Sequence, residues 1–141
     1  MFLGEYEYKL DEKGRVPVPP KFRGDLRDGI ILVPGPEKCI LAYTLLEWKK
    51  LSESLNAGTL PSSKMRKLNR ALFSMAFRLN LDGQGRIALP VPLRNYAGIG
   101  EDVVITGVNT YLEIWDKQLW EEEKTNSLAQ IWQTIETLEK H

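Results

Sequence analysis

Leu10-Asp11-Glu12-Lys13-Gly14-Arg15-Val16-Pro17-Val18-Pro19-Pro20-Lys21-Phe22-Arg23 returns 71 positions later as Leu81-Asp82-Gly83-Gln84-Gly85-Arg86-Ile87-Ala88-Leu89-Pro90-Val91-Pro92-Leu93-Arg94. Leu, Asp, Gly, Arg, Pro and the closing Arg coincide without a gap. With one inserted residue the match runs on: Ile31-Leu32-Val33 meets Val103-Val104-Ile105, Ile40-Leu41-Ala42-Tyr43 meets Leu112-Glu113-Ile114-Trp115, and Trp48 meets Trp120. The chain therefore carries one short unit twice. A unit of about 45 ordered residues buries too little apolar surface to be comfortably stable alone. Two such units are expected to pair and share one core.

Local chemistry predicts the same order of elements in both copies. Glu5-Tyr6-Glu7-Tyr8-Lys9-Leu10 and Phe77-Arg78-Leu79-Asn80-Leu81 alternate polar and apolar residues, the period of a half-buried strand. Each strand meets Asp-x-x-Gly. There Asp11 and Asp82 can bond their own downstream amides, while Gly14 and Gly85 supply the positive φ of a tight turn. Val16 to Pro19 and Ile87 to Pro90 leave the turns as second strands. Pro17 lacks an amide donor and belongs at an edge or an unpaired site. Lys21 to Leu26 and Leu93 to Ala97 read as short helices, closed by Gly29 and by Gly98-Ile99-Gly100. Ile30 to Val33 with Ile40 to Tyr43, and Val103 to Thr106 with Tyr111 to Trp115, read as hairpins. Leu45 to Leu55 and Lys117 to Lys124 read as amphipathic helices. Asn56 to Pro61 is a linker by composition. Ser62 or Ser63 is the expected cap of a helix whose apolar face is Met65, Leu68, Leu72 and Met75. The division that follows is residues 5–47 for the first repeat, 48–75 for the linker and basic helix, 76–119 for the second repeat and 120–141 for a helical tail.

Composition narrows the chemistry. Cys39 is the only cysteine and His141 the only histidine of the 141 residues. That leaves neither an internal disulfide nor a His/Cys zinc cluster, and almost no room for a histidine base. Cys39 lies among apolar neighbours and reads as an inert buried thiol. No apolar run approaches the roughly 18 residues of a membrane span, and the opening residues do not read as a secretory signal. The expected location is the cytoplasm. No P-loop, Gly-x-Ser-x-Gly or metal-ligand cluster is present. Glu121-Glu122-Glu123 read as a solvated helix face, and nothing selects a carboxylate pair for glycosidase chemistry. The expectation is a non-enzyme without cofactor, metal or small-molecule substrate. Net charge is zero, so any attraction to nucleic acid must come from local clusters. From Pro61 to Leu81 there are five basic residues and no acidic one, whereas the stretch from Asp116 onward is acid-rich.

The stretch Leu-Asp-x-x-Gly-Arg-(Ile/Val)-x-(Leu/Val)-Pro-x-x-(Leu/Phe)-Arg resembles the swapped-hairpin DNA-binding domain of AbrB-like regulators. Two copies, opened by Met1-Phe2-Leu3-Gly4-Glu5-Tyr6, resemble the MraZ family, and the resemblance covers the chain to about Glu121. It implies an α+β, mainly β fold: two AbrB-like swapped-hairpin repeats paired into one small pseudo-symmetric barrel with flanking helices. It also implies a bacterial transcriptional regulator of division and cell-wall genes, with repression the expected sign. Such a protein binds tandem repeats in double-stranded promoter DNA as a ring of several subunits, associated with the nucleoid. Pro17 departs from the family pattern, where a threonine or another β-former is more usual, and so does the inequality of Glu12-Lys13 and Gly83-Gln84.

Each candidate site residue has a competing structural reading. Arg15 and Arg86 either pair with Asp11 and Asp82 across their own turns or present guanidinium forks to phosphate or guanine. The duplication and the resemblance favour DNA. Asp11, Gly14, Asp82 and Gly85 are assigned to shaping the turns. Lys13 is assigned to a phosphate, and Gln84 to a base or a phosphate. Arg23 and Arg94 divide evenly between ion pairs inside the shared barrel and DNA contact. The basic residues from Lys64 to Arg70 read as a solvated face, a DNA contact or a subunit-packing surface. Trp48 and Trp120 belong to a core or interface, and the stripe Leu128, Ile131, Trp132, Ile135, Leu138 to packing on the body or a neighbouring subunit. With Lys13 at its tip, the first turn is expected to carry more of the phosphate binding. An antitoxin-like or architectural protein is the alternative function.

Overall fold

The computed structural model describes residues 1–140; His141, the last residue of the expected tail, lies outside them. The elements run β1 (Glu5–Lys9), β2 (Arg15–Pro17), a 3-10 turn (Pro20–Phe22), β3 (Ile30–Pro34), a second 3-10 turn (Pro36–Lys38), β4 (Ile40–Thr44), α1 (Leu45–Asn56), α2 (Ser62–Ser74), β5 (Phe77–Leu79), β6 (Arg86–Ala88), α3 (Val91–Ala97), β7 (Asp102–Val108), β8 (Tyr111–Asp116) and α4 (Lys117–Glu139). The two halves follow the same course, as the repeat demands.

Their pairing is reciprocal. Six strands form one antiparallel sheet in the order β1-β7-β8-β4-β3-β5. β1 finds its partner in β7 of the other half, with Tyr6 opposite Ile105. β5 finds its partner in β3, with Ile30 opposite Leu79. The hairpins β3–β4 and β7–β8 meet along β4 and β8, where Ala42 faces Leu112. β2 and β6 leave the large sheet and pair only with each other, Val16 opposite Ile87.

The sheet does not close into the expected barrel. Closure would require β1 and β5, at the two ends of the strand order, to pair with each other, and each is bonded on one side only. The other side of the core is covered by the β2–β6 ribbon, the first 3-10 turn and α3. Val16, Val18, Ile87 and Leu89 point inward from the ribbon and are buried with Phe22, Leu26, Leu93 and Ala97 against Ile30, Leu32, Val103 and Ile105. Pro17, Pro19 and Pro20, with Pro90 and Pro92, keep the second strands too short to extend the main ladder. Pro17 costs the ribbon nothing. Val18 N–H donates to Gly85 O (2.9 Å) and Leu89 N–H to Gly14 O (2.8 Å), so the bonded rungs fall at 14, 16 and 18 and Pro17 sits between them.

Some helix ends follow local signals and others do not. Thr44 caps α1, its hydroxyl accepting from Glu47 N–H (3.1 Å), and Gly98 closes α3 at φ 61°. α2 has no side-chain cap, because Pro61 occupies the position before Ser62. The two expected helical segments after Asp116 are one continuous α4. Trp48 is half-buried between Tyr43 and Phe73, and Trp120 packs on Trp115 while its indole N–H donates to Glu5. Cys39 is buried and its thiol donates to Pro36 O (3.2 Å); burial pushes its pKa far above the ordinary thiol range. Among the described residues no helix is long and apolar enough to cross a membrane.

The opening residues are part of the core. Phe2 stands edge-on to Phe22 at 5.0 Å, and its backbone bonds Asn109 in both directions. That approach is permitted by Gly107, where a Cβ would fall 2.5 Å from the Phe2 carbonyl carbon. Gly107→Ala should therefore displace the N-terminal segment. The expected loss is about 1.5–3 kcal/mol, the worth of burying one phenylalanine. An unchanged urea midpoint would contradict this role.

Candidate nucleic-acid interface

The two Asp-x-x-Gly-Arg turns are built bond for bond alike. Asp11 N–H donates to Arg15 O (2.9 Å) and Gly14 N–H to Asp11 O (3.0 Å). One carboxylate oxygen of Asp11 accepts from the amides of Lys13 (2.9 Å) and Arg15 (2.8 Å). The other accepts from Arg15 Nε at 2.7 Å. At the second turn the Asp82 carboxylate accepts from the amides of Gln84 and Arg86 and from Arg86 Nε, all at 2.9 Å. The donated bonds, first among them the Arg15 and Arg86 amides, hold both carboxyls below the ordinary aspartate range. Both are therefore ionised at neutral pH, and each is saturated by three donors.

Gly14 and Gly85 sit at φ 73° and 74°, in the left-handed region the turn needs. Each also receives an arginine of the opposite repeat. A Cβ on Gly14 would fall 2.9 Å from Cζ of Arg94, and one on Gly85 would fall 2.5 Å from Cζ of Arg23. Arg23 Nε donates to Val18 O (2.9 Å), and Arg94 Nε donates to Leu89 O (3.0 Å). The anticipated ion pairs inside a barrel are not what hold Arg23 and Arg94: carbonyl oxygens and glycine surfaces do.

The antiparallel register puts Arg15, Pro17, Arg86 and Ala88 on the outer face of the ribbon, opposite the buried Val16 and Ile87. Arg15 and Arg86 are diagonal neighbours there, with backbones about 7–8 Å apart by sheet geometry. Their side chains keep 30% and 24% of their exposure. Only Nε of each is committed to its own aspartate; Arg86 Nη1 lies 3.9 Å from Asp11, which links the two turns. Lys13 and Gln84 are exposed at the turn tips. All six residues singled out from the sequence thus gather around one pair of turns. Lys64, Arg66, Lys67 and Arg70 are exposed on α2 and form no ion pair among the described residues. Arg27, which repeat matching passed over, joins Arg23 in lining a cleft beside the second turn.

The turn geometry separates two neighbouring glycines. Gly85→Ala should cost about 1–3 kcal/mol, from left-handed strain plus collision with Arg23. Gly83 has ordinary φ and open space around it, so Gly83→Ala should stay within about 0.5 kcal/mol of the parent. Equal urea midpoints for the two variants would refute the assignment.

The family model described as "MraZ protein, putative antitoxin-like" matches residues 1–70 and 72–136. A protein of Dehalococcoides mccartyi named transcriptional regulator MraZ is 63% identical over 142 residues, covering 100% of both chains. One of the same name from a second strain of that species is 63% identical over 99% of each chain. A Frankia alni protein, also named transcriptional regulator MraZ, is 40% identical over 93% of this chain and 94% of its own. With two interlocked copies of the Asp-x-x-Gly-Arg turn and matches along nearly its whole length, the chain belongs to the MraZ family.

Proposed function

We propose that the chain is a sequence-specific DNA-binding transcriptional regulator whose DNA-facing surface is the outer side of the β2–β6 ribbon with its two turns. One observation carries the reading: two guanidinium groups stand side by side, each anchored through Nε to its own aspartate, leaving both Nη atoms of Arg15 and Nη2 of Arg86 for a ligand. A planar fork with fixed orientation suits phosphate oxygens or the O6/N7 edge of guanine. The B-DNA major groove, about 12 Å wide, admits a two-stranded ribbon. The names of the relatives support transcriptional regulation. Family membership extends the reading to repression of division and cell-wall genes through tandem promoter repeats, in the cytoplasm at the nucleoid. Catalysis, metals, cofactors, small-molecule substrates and membranes have no part in it.

Arg15→Ala and Arg86→Ala should each weaken binding to the chain's own upstream DNA about 5- to 150-fold, the equivalent of about 1–3 kcal/mol per guanine fork. Circular dichroism should stay unchanged. A gel shift with parent affinity for the double variant would refute the reading. An antitoxin-like or architectural role without promoter control is the second reading, favoured by the family model's own description. It requires equal affinity for promoter and scrambled duplexes.

The same reading includes a ring of several subunits. Lys117 binds Glu7 (3.2 Å) and Lys124 binds Glu5 (2.5 Å), so the first turns of α4 are held on β1. Beyond them Leu128, Ile131, Trp132 and Leu138 are exposed, Trp132 to 70%. Such a face suits burial on a neighbouring copy. The carboxylates Glu121, Glu122, Glu136 and Glu139 on α4 complement the cations of α2, and a head-to-tail contact between unlike surfaces closes a ring when its rotation allows. Light scattering at micromolar concentration should give a multiple of the 16.1 kDa chain mass. Ile131→Glu with Trp132→Glu should reduce it toward one chain without loss of helix signal. A parent protein that scatters as a monomer would exclude the ring.

A further inference from the structure

The cleft beside the second turn has a volume of about 490 Å³ and is walled by Arg23, Gly24 and Arg27 on one side and by residues 81–85 on the other. Resting on the DNA-binding reading above, we propose that this cleft is a phosphate subsite in which Arg27 and Arg23 of the first repeat hold a backbone phosphate of the DNA engaged by Arg86.

Four observations converge on it. First, both arginines lack a counter-ion: neither has a carboxylate within ion-pair distance among the described residues. Arg23 spends its Nε on Val18 O and lies against Gly85, while Arg27 is exposed. Second, the one carboxylate lining the cleft, Asp82, already accepts from two amides and from Arg86 Nε. The neighbouring acids on the Arg27 segment are Asp25 and Asp28. Asp25 lines a separate cavity with Met1, Thr44 and Glu47, and Asp28 is exposed without an ion-pair partner. Third, Gly24 and Gly83 leave the mouth open, since a Cβ on either meets nothing within 4 Å. Fourth, the pair of arginines occurs at one turn only. Repeat alignment sets Arg94 against Arg23, but Gly98 against Arg27, and Gly98 is the left-handed cap of α3.

The charge balance around the turns changes accordingly. The first turn has Lys13 and Arg94 with Glu12 beside them; the second has Arg23 and Arg27, with Asp25 and Asp28 beside Arg27 but outside the cleft lining. Lys13 alone made the first turn the more basic one along the sequence. On this proposal the convergence of Arg23 and Arg27 on one cleft gives the second turn the larger share of phosphate binding.

The test measures fluorescence anisotropy of two labelled duplexes, one from the chain's own upstream region and one scrambled, over a salt series. Arg27→Ala should weaken both duplexes by the same factor. It should also flatten the log–log salt dependence by about 0.9 for each subunit engaged. Gly24→Glu, which places a carboxylate at the open mouth, should do the same. Lys13→Ala should change the slope less than Arg27→Ala. Thermal melts should match the parent, because Arg27 makes no side-chain hydrogen bond among the described residues and the Gly24 site is open. If Arg27→Ala and Gly24→Glu leave affinity and slope unchanged while Arg86→Ala weakens binding, the subsite is refuted and the DNA-binding reading stands. A loss confined to the upstream duplex refutes it as well, by making Arg27 a base reader. If Arg86→Ala is also without effect, the DNA-binding reading fails and the subsite with it.

Discussion

Neither half of this chain owns a complete sheet. β1 has a strand partner only in the second half, β5 only in the first, and β2 and β6 only in each other. Everything else depends on that exchange. Val16, Val18, Ile87 and Leu89 become buried only because the two second strands pair over a common core. At about 1.5–3 kcal/mol for each such side chain, their burial is a strong reason for the halves to fold together. A residue of one repeat then stands beside a turn of the other: Arg94 lies on Gly14, and Arg23 on Gly85. The ribbon is thus the cover of the core on its inner face and the platform for Arg15 and Arg86 on its outer face.

Placing two carboxylates among arginines proposed to face DNA is a poor electrostatic choice unless the carboxylates are occupied. Asp11 and Asp82 each accept three N–H bonds, two of them from the amides they turn. Those bonds fix the loop, and the third fixes Nε of the arginine. The guanidinium loses rotameric freedom before any ligand arrives, which reduces the entropy lost on binding. As surface ion pairs the two bridges would stabilise the fold by at most about 1 kcal/mol each. Their main consequence is therefore orientation of the arginine.

The turns were legible in the sequence because every bond that makes them lies within five residues. Hairpins β3–β4 and β7–β8 were legible for the same reason, as was the left-handed end of α3 at Gly98. The cap of α1 was readable in Thr44-Leu45-Leu46-Glu47, a serine/threonine followed three residues later by glutamate, though it drew no attention. The open sheet was not legible. Whether strands at the ends of the order bond each other is decided by distant pairings that leave no periodic trace. α4 runs unbroken because nothing between Lys124 and Leu128 interrupts a helix, where the sequence reading names Lys117 to Lys124 apart from the stripe that begins at Leu128. Arg27 escaped for an instructive reason. A repeat displays what its copies share, and the counterpart of Arg27 is a glycine.

That difference bears on how a chain with zero net charge holds a polyanion. With no long-range excess of positive charge, attraction must come from a few cations at short range, where the Debye length of about 8 Å at physiological salt still leaves them effective. The ribbon gathers Arg15, Arg86, Arg23, Arg94, Lys13 and Arg27 around two adjoining turns, while the carboxylates of α4 stand on another element. Under the proposed function, one such cluster would make few phosphate contacts and a single subunit would bind weakly. Several copies held in one assembly would convert each later contact into an intramolecular one and raise affinity without new chemistry. Tandem DNA sites and a repeated protein surface would then be two sides of one requirement. The inequality of the two turns would give each subunit a direction along the duplex, which an exact two-fold pair of turns would lack.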